Sequence, residues 1–155
     1  MAGGGPAGLA VAAAAARRGL DVLVLERRAL PADKACGEGL LPGAVRALAR
    51  LEARALLDPA ATHPLLAIRW RDGPFLAEAA LPPPGGLGVR RLALSAALLA
   101  RARALGAEVR DRTSILHHRR DAREVRVTTD VGTERGELLV AADGLASPIR
   151  RREGL

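Results

Sequence analysis

The sequence predicts an α/β fold built around a parallel sheet, and three observations lead to this prediction. A glycine-rich turn opens the chain and runs directly into an alanine-rich helical segment at 9–18. A short apolar strand follows at 21–25, and another strongly apolar segment lies much later, at 138–142. Apolar strands connected through helices are typical of a parallel sheet that is covered on both faces.

The opening turn has the spacing G-x-G-x-x-G, formed by Gly3, Gly5 and Gly8. Glycines at these positions permit a tight turn, close approach of the backbone to a phosphate, and close packing of the following helix on its sheet. The positive end of that helix would then attract the phosphate. Because glycine-rich chain ends also meet this spacing by chance, a flexible tail is the alternative interpretation.

Two features farther along the chain favour the phosphate-binding interpretation. Gly19 stands where a C-terminal cap glycine ends a helix. Glu26 closes strand 21–25, at roughly the 20-residue separation at which an acidic residue accepts hydrogen bonds from an adenosine ribose. An acid there favours a free 2′-hydroxyl over a 2′-phosphate, so the pattern suits the adenosine half of FAD or NAD better than that of NADP.

The first strand of such a sheet normally precedes the glycine turn, yet only Met1 and Ala2 stand before Gly3. We therefore expect the first strand to be missing. It would lie between strands 21–25 and 138–142, and both would lose their shared partner. Low stability and aggregation through exposed strand edges are the expected consequences.

Composition narrows the function classes. The 155 residues suffice for one cored domain, and the net charge of +7 comes from basic residues spread along the chain. With one Trp, one Phe and no Tyr, platforms for stacking on bases are nearly absent, so no nucleic-acid partner is expected. The single cysteine, Cys36, excludes an internal disulfide and a multi-cysteine metal site. We expect a cytoplasmic protein without a bound metal.

The remaining elements follow from apolar periodicity and turn residues. A polar loop at 27–39 precedes an amphipathic helix that begins at Pro42, with a predicted apolar stripe of Val45, Leu48, Leu51 or Glu52, Ala55 and Leu56. Ser147 and Pro148 form an N-cap and first-turn proline for a late helix. The other predicted segments are strands 65–70 and 74–79 around the turn Asp72-Gly73, a helix at 91–105 with Leu94, Leu98 and Leu105 on one face, and strands at 107–110, 114–118, 123–129 and 133–142.

The spacing of these elements indicates an insertion. A simple βαβ connection is short, but roughly 80 residues, including a hairpin, separate Glu26 from the next strand at 107–110. This favours a flavoprotein layout, in which a substrate domain interrupts the nucleotide-binding domain.

Three motifs, in this order, resemble those of the superfamily of FAD-dependent aromatic hydroxylases (monooxygenases) and geranylgeranyl reductases. The first is the glycine turn with Glu26, the second is Arg90-Arg91-x-x-Leu94, and the third is Ala142-Asp143-Gly144 followed by Ser147-x-Ile149-Arg150. The resemblance implies a Rossmann-like FAD-binding fold of the glutathione-reductase-like class with a small β-meander. It also implies that residues 1–155 are a partial FAD/NAD(P)-binding domain, that 60–90 is an inserted substrate-domain hairpin, and that the C-terminal half is missing.

The resemblance further implies cofactor-binding residues, while it identifies no catalytic residue. Asp143 would hydrogen-bond the ribityl or pyrophosphate region, with an ordinary Asp-Gly turn as the alternative. Arg91 would offer a cation to the phosphates, unless it is merely solvated. Cys36 lies in a loop that approaches the flavin ring and substrate in the family, unless it is an inert small hydrophobe. The full set of expected cofactor contacts is Gly3, Gly5, Pro6, Ala7, Gly8, Glu26, Arg27, Cys36, Gly37, Arg91, Asp143 and Gly144.

The function implied by the resemblance is that of an oxidoreductase in which NAD(P)H reduces FAD and the reduced flavin acts on an organic or isoprenoid small molecule. Hydroxylation and reduction of an isoprenoid double bond both stay open, and the loop around Cys36 favours the reductase branch. A lipid substrate would bring a peripheral membrane contact with it. The alternative is a dinucleotide-binding remnant, non-catalytic or truncated.

Overall fold

The computed structural model describes residues 1–34 and 38–155, and these form two compact units. Unit 1 comprises Met1–Ala32 and Leu98–Leu155, and unit 2 comprises Asp33–Ala97. The prediction for Cys36 and Gly37 lies outside the described residues.

The described residues form four α-helices and ten β-strands. The helices are α1 (Pro6–Ala16), α2 (Pro42–Arg50), α3 (Arg91–Ala104) and α4 (Pro148–Arg152). The strands are β1 (Leu23–Leu25), β2 (Gly39–Leu40), β3 (Thr62–Leu65), β4 (Ala67–Asp72), β5 (Phe75–Ala80), β6 (Gly86–Val89), β7 (Glu108–Arg110), β8 (Ile115–Arg120), β9 (Val125–Thr129) and β10 (Gly132–Gly136). No helix within these residues is long and apolar enough to cross a membrane.

A parallel sheet forms the centre of unit 1. Strand β1 pairs with β7, with Leu23 opposite Glu108 and Leu25 opposite Arg110. Val22, Val24 and Leu25 are buried, as an apolar strand covered on both faces requires. The predicted strands 21–25 and 107–110 are therefore present, with slightly shorter bounds.

No strand precedes α1 among the described residues, as expected, but the start of the chain lies where that strand would run and supplies part of the shared partner. Ala2 is buried and forms parallel bridges to Leu25 on one side and to Ala141 on the other. Four backbone hydrogen bonds of 2.8 to 2.9 Å fix it, from Leu25 N to Met1 O, Gly3 N to Leu25 O, Ala2 N to Val140 O and Ala142 N to Ala2 O. Backbone groups make these bonds whatever the side chains are, so Met1 and Ala2 make part of the pairing that a full strand would make.

The segment 138–142 does not form the predicted strand. Ala141 alone pairs, through its bridge to Ala2, and Leu138 is 79% exposed. The physical reason is that the segment has only the short start of the chain as a partner in the part of the protein that the structure describes. An apolar run cannot become a strand without neighbours that satisfy its backbone.

Helix α1 covers the sheet of unit 1 with a face of small residues. It begins at Pro6, three residues before the predicted start, because proline at the first helical position fits the required φ and needs no hydrogen-bond partner. Leu9, Ala12, Ala13 and Ala16 are buried along one side. Gly19, at φ +78°, ends the turn beyond the helix, as predicted.

Strands β8, β9 and β10 form the predicted small β-meander, with β9 in the middle. Val127, Thr129 and His118 are buried, whereas His117 is exposed. This alternation follows from the two-residue period of a strand.

Unit 2 contains a β-hairpin and a separate three-stranded antiparallel sheet. Strands β4 and β5 form the hairpin expected around Asp72 and Gly73, with Ala67 opposite Ala80. Strands β2, β6 and β3 form the sheet, and none of these was predicted with its observed bounds. Strand β6 is rich in glycine, although glycine has a low propensity for strands. A Cβ on Gly86 would lie only 2.8 Å from Leu40 O, so no larger residue fits there. The close neighbouring backbone explains the glycine.

Helices α2 and α3 confirm the predicted apolar stripes. Val45, Leu48 and Leu51 are buried along α2 and the turn that follows it. The predicted stripe extended to Leu56, but α2 ends at Arg50 and Leu56 is exposed. Along α3, Leu94 and Leu98 are buried on the predicted face.

Candidate functional site

The first and third glycines of the opening turn are required by the chain's own packing. Gly3 has φ +103°, and a Cβ there would lie 2.4 Å from Ala142 O. A Cβ on Gly8 would lie 2.0 Å from Gly3 O. Helix α1 therefore presses against the turn, and the turn presses against the segment that contains Ala142. Only glycine fits either position without movement of the backbone.

Gly5 differs from both, because it faces open space. Its φ of −72° and ψ of 175° suit any residue, and a Cβ there would meet nothing within 4 Å. Gly5 is the N-cap of α1, no side chain caps this end of the helix, and no acidic residue lies in the first turn. Pro6 follows at the first helical position, and Ala7 is exposed. An anion could approach the positive end of α1 without displacing protein atoms.

Glu26 lies beside this turn, as the sequence predicts. Its carboxylate accepts hydrogen bonds from Gly4 N at 2.7 Å and from Arg28 N at 3.0 Å, one on each oxygen. An ionised carboxylate has about four acceptor positions, so Glu26 can stabilise the turn and still accept hydroxyl donors. Arg27 is exposed next to it.

Asp143 reaches the same edge of the sheet from the other end of the chain. Its backbone nitrogen lies 3.0 Å from where a Cβ on Gly3 would be. One carboxylate oxygen, Oδ2, accepts from Ile149 N at 3.4 Å. The other, Oδ1, is buried and has no hydrogen-bond partner within the described residues. Gly144 follows at φ +98° and turns the chain. A buried acceptor without a partner is costly, so Asp143 is suited to meet an external donor.

A cleft of about 730 Å³ opens beside Asp143 within unit 1. Its wall combines apolar and charged groups, among them Leu138, Ile149, His118 and Glu153. The cleft is large enough for part of an organic ligand or for a segment of polypeptide.

Arg91 belongs to unit 2, where it starts helix α3. Its backbone nitrogen donates to the Glu38 carboxylate at 2.9 Å, so Glu38 caps this helix. The guanidinium Nε is buried and has no hydrogen-bond partner among the described groups. Its contact with a phosphate stays a prediction.

The described residues contain no group of three or more His, Cys, Asp or Glu side chains that could hold a metal ion. His117 and His118 are adjacent on β8 and face opposite sides, with only His118 buried. Because successive side chains of a strand point to opposite faces, these two histidines cannot bind the same metal ion as a pair.

Sequence reasoning missed an ion-pair cluster on one wall of the cleft. His118 Nε2 lies 2.9 Å from Glu153 Oε1, and Arg120 Nε lies 3.0 Å from Glu153 Oε2. The hydrogen bond from His118 lowers the pKa of the Glu153 carboxyl, and the positive charge of Arg120 lowers it further. Strand alternation could have marked His118 as inward-facing, but no local signal in the sequence links it to Glu153.

Comparison with known proteins connects this geometry to a family. Residues 1–155 match the family described as FAD binding domain. The chain is 37% identical over 159 aligned residues to a menaquinone reductase of Mycobacterium tuberculosis, covering 99% of this chain and 39% of that protein. It is 42% identical over 81 residues to the 3-amino-4-hydroxybenzoate 2-monooxygenase PtnB3 of Streptomyces platensis, covering 51% of this chain and 20% of that protein.

A solved structure shows the same fold. The flavin-dependent halogenase CmlS superposes with a TM-score of 0.85 at 28% sequence identity, covering 99% of this chain and 30% of the halogenase. The chain thus spans well under half the length of each of these relatives.

Proposed function

Because the chain belongs to the family of FAD binding domains, as its three motifs predict, and FAD is therefore its cofactor, we propose that residues 1–155 form the FAD-binding part of an oxidoreductase. The observation that supports this most directly is the arrangement at one edge of the parallel sheet. Gly3 packs against Ala142 and the Asp143 backbone nitrogen, and this contact brings together the two chain segments that carry the open Gly5 and the unpaired Asp143 Oδ1.

The residues present at this edge fit the parts of FAD. The N-terminal end of α1 at Gly5 would hold the pyrophosphate, because it offers backbone N–H groups and a positive dipole without a competing side-chain cap. Glu26 would accept from the adenosine ribose hydroxyls. Asp143 would accept from hydroxyls of the ribityl chain, because a carboxylate repels phosphate but pairs with alcohol donors.

The chain's own contribution to mechanism is to bind and orient. When bound, FAD would supply the redox chemistry. The fixed turn at Gly3 and Gly8 would keep the pyrophosphate in one position relative to the sheet. The carboxylates of Glu26 and Asp143 would fix two separate hydroxyl-bearing parts of the molecule, and this determines where the flavin ring lies.

For the whole enzyme we favour a reductase that takes electrons from NAD(P)H and acts on an organic substrate carrying an isoprenoid chain. The menaquinone reductase aligns over nearly the whole of this chain, whereas the monooxygenase aligns over about half of it. A hydroxylating enzyme of the same family is the second candidate. The cytoplasmic setting and a peripheral contact with membranes that hold a lipid substrate stay predictions.

The test is a titration of the purified chain with FAD, in which quenching of the flavin fluorescence measures binding. A valine at Gly5 would fill the open space and should weaken binding at least tenfold, because it denies the phosphate about 1.4 kcal/mol or more of contact. Gly43→Val is the matched control, since Gly43 also stands next to the proline that starts a helix and also faces open space. It should leave FAD affinity unchanged.

A second step separates an enzyme from a nucleotide-binding remnant. NADPH or NADH added without oxygen to the FAD-loaded protein should bleach the flavin absorption if reduction occurs. FAD binding without bleaching, when it is also found for the product of the full-length gene, would support the non-catalytic alternative. Absence of FAD binding by folded wild-type chain would contradict the proposed function itself.

A further inference from the structure

Helix α4 is tied to strand β8 by three polar contacts near its C-terminal end. Glu153 accepts from His118 Nε2 at 2.9 Å and from Arg120 Nε at 3.0 Å. Arg152 Nη2 donates to Leu116 O at 3.1 Å. The His118 side chain is only 4% exposed, so this tie reaches into the interior of unit 1. Buried hydrogen-bonded pairs hold their geometry more firmly than exposed ones.

The opposite end of the same helix carries the Asp143 element. Ser147 Oγ caps α4 by accepting from Arg150 N at 2.9 Å, and Ile149 N donates to Asp143 Oδ2 at 3.4 Å. The helix has five residues and therefore spans only about 7.5 Å. A displacement of its C-terminal end thus moves the group that holds Asp143.

So short a helix has little stability of its own, because helix nucleation is unfavourable. Its position must come from tertiary contacts. Within unit 1, buried Ile149 and the polar tie at Glu153 provide these contacts. The apolar contact sets the depth of the helix, and the directional hydrogen bonds set its rotation and its distance from β8.

We propose that Glu153 and His118 are positioning residues for the cofactor: by tying α4 to β8 they hold Asp143 at the orientation in which its free oxygen accepts from FAD. The inference rests on the proposed function, because it takes FAD as the ligand of Asp143. Neither residue needs to contact the cofactor for this role.

The chemistry of the pair predicts graded effects of substitution. Glu153→Gln keeps an oxygen that can accept from one partner but turns an amide N–H₂ toward the other, so it weakens the tie without removing it. Glu153→Ala removes every contact of this carboxylate. The matched control is Glu134→Ala, because Glu134 pairs with Arg110 between β10 and β7 and, within the described residues, forms no hydrogen bond or ion pair with α4.

The experiment measures the dissociation constant for FAD of the full chain at 20 °C, by flavin fluorescence, together with the unfolding midpoint of each variant. Glu153→Ala should raise the dissociation constant about tenfold, and Glu153→Gln should give an intermediate value. Glu134→Ala should lower the unfolding midpoint while it leaves the dissociation constant within about twofold of wild type.

A double-mutant cycle with Asp143→Asn tests the route of the effect. If Glu153 acts through Asp143, Glu153→Ala should change FAD binding less than about twofold once Asp143→Asn is present. A merely structural role predicts instead that the two effects multiply. Should Glu153→Ala fail to fold, the same cycle is run with Glu153→Gln.

The failures can be told apart. Wild-type chain that folds but does not bind FAD overturns the proposed function, and this inference with it. A second outcome is that wild type binds FAD, Asp143→Asn binds it more weakly, and the Glu153 variants bind it as wild type does; this overturns only the positioning role. Fully multiplicative effects in the double-mutant cycle also overturn only that role.

Discussion

The glycine turn at 3–8 and the hairpin β4–β5 are both formed around glycines, but the surrounding structure constrains them differently. At Gly8 a Cβ would lie 2.0 Å from a backbone oxygen, whereas at Gly73 in the hairpin it would meet nothing within 4 Å. The aromatic side chains of the hairpin are also open to solvent, with Trp70 56% and Phe75 75% exposed. In the turn, the fold itself excludes other residues; in the hairpin, only the backbone angle favours glycine.

Gly5 stands apart within the same turn. It lies between two glycines that packing requires, yet its own surroundings are open. No contact inside the described protein requires a glycine there, and the proposed approach of a phosphate would account for it. Comparing the three positions therefore separates residues that the fold needs from a residue that we propose the ligand needs.

The largest expected effect is the difference in stability between two glycine-to-alanine variants, one in the glycine turn and one in the hairpin. Gly8→Ala should destabilise the chain by about 3 kcal/mol or more, because the new Cβ overlaps backbone that cannot move cheaply. Gly73→Ala should cost about 1 kcal/mol, since the left-handed conformation at φ +53° is its only penalty. Urea unfolding of both variants measures the difference, and equal losses would mean that the turn is not packed as described.

A size series at Gly5 sharpens the contrast within the turn. Alanine, valine and leucine at this position should each lower the free energy of unfolding by about 1 kcal/mol or less and by similar amounts, because the space is open and only the N-cap preference for glycine is lost. FAD affinity should fall step by step with side-chain volume. A series that loses stability in the same order as affinity would assign Gly5 to the fold rather than to the ligand.

Much of this fold could be predicted from sequence, because apolar periodicity and punctuation by Gly and Pro determine element type locally. Helix α3 and the hairpin at Asp72-Gly73 are examples. The start of the sheet could not, because the bonds that hold Ala2 are made by backbone groups to partners far along the chain. For the same reason the apolar pattern of 138–142 overstated a strand that lacks neighbours.

The site shows the same division. Gly3, Gly5, Gly8, Glu26 and Asp143 could be chosen from motif spacing, and the structure places all five in unit 1. The contact between His118 and Glu153 could not be predicted, since it joins a strand and a helix end that share no motif. Arg91 could be selected from the second motif, but its contact with a phosphate stays a prediction, because the motif does not determine where the side chain lies relative to the cofactor.

Asp143→Asn tests the other side of the turn. The variant keeps the shape of the side chain but loses the negative charge that strengthens hydrogen bonds from hydroxyl donors, so FAD should bind about fivefold more weakly. Trp70→Ala in the exposed hairpin is the comparison variant and should not change FAD affinity. Fluorescence titration compares them, and equal affinity of Asp143→Asn and wild type would remove Asp143 from the site.

The pH dependence of stability should report the tie at Glu153. Its lowered folded-state pKa means that the contact stabilises the protein above the ordinary glutamate pKa of about 4.3 and is lost as the pH falls through the folded value. His118 and Arg120 contact this carboxyl, and Asp121, Glu137 and Arg150 also line the cleft. Thermal midpoints of wild type and Glu153→Gln should therefore differ near neutral pH and converge in acid. A constant difference across that range would contradict the assignment.

The smallest effect is expected in the hairpin. Arg69 and Glu78 pair across the strands at 2.6 Å, but their side chains are 66% and 48% exposed. An exposed pair contributes about 0 to 1 kcal/mol and is screened by salt. Glu78→Gln should lower stability by less than about 0.5 kcal/mol at 0.15 M salt, as urea unfolding would measure. A loss of 2 kcal/mol would show that the hairpin is constrained like the turn.

The most direct test of the central claim, that the sheet edge formed by the glycine turn and Asp143 binds FAD, is a visible difference spectrum of the wild-type chain during FAD titration, repeated with ADP as competitor. We predict saturation at one FAD per chain, a shifted flavin band, and displacement by ADP, because ADP carries the pyrophosphate and ribose that the turn and Glu26 would hold. A folded chain whose flavin spectrum stays that of free FAD, or whose bound FAD is indifferent to ADP, would contradict the account.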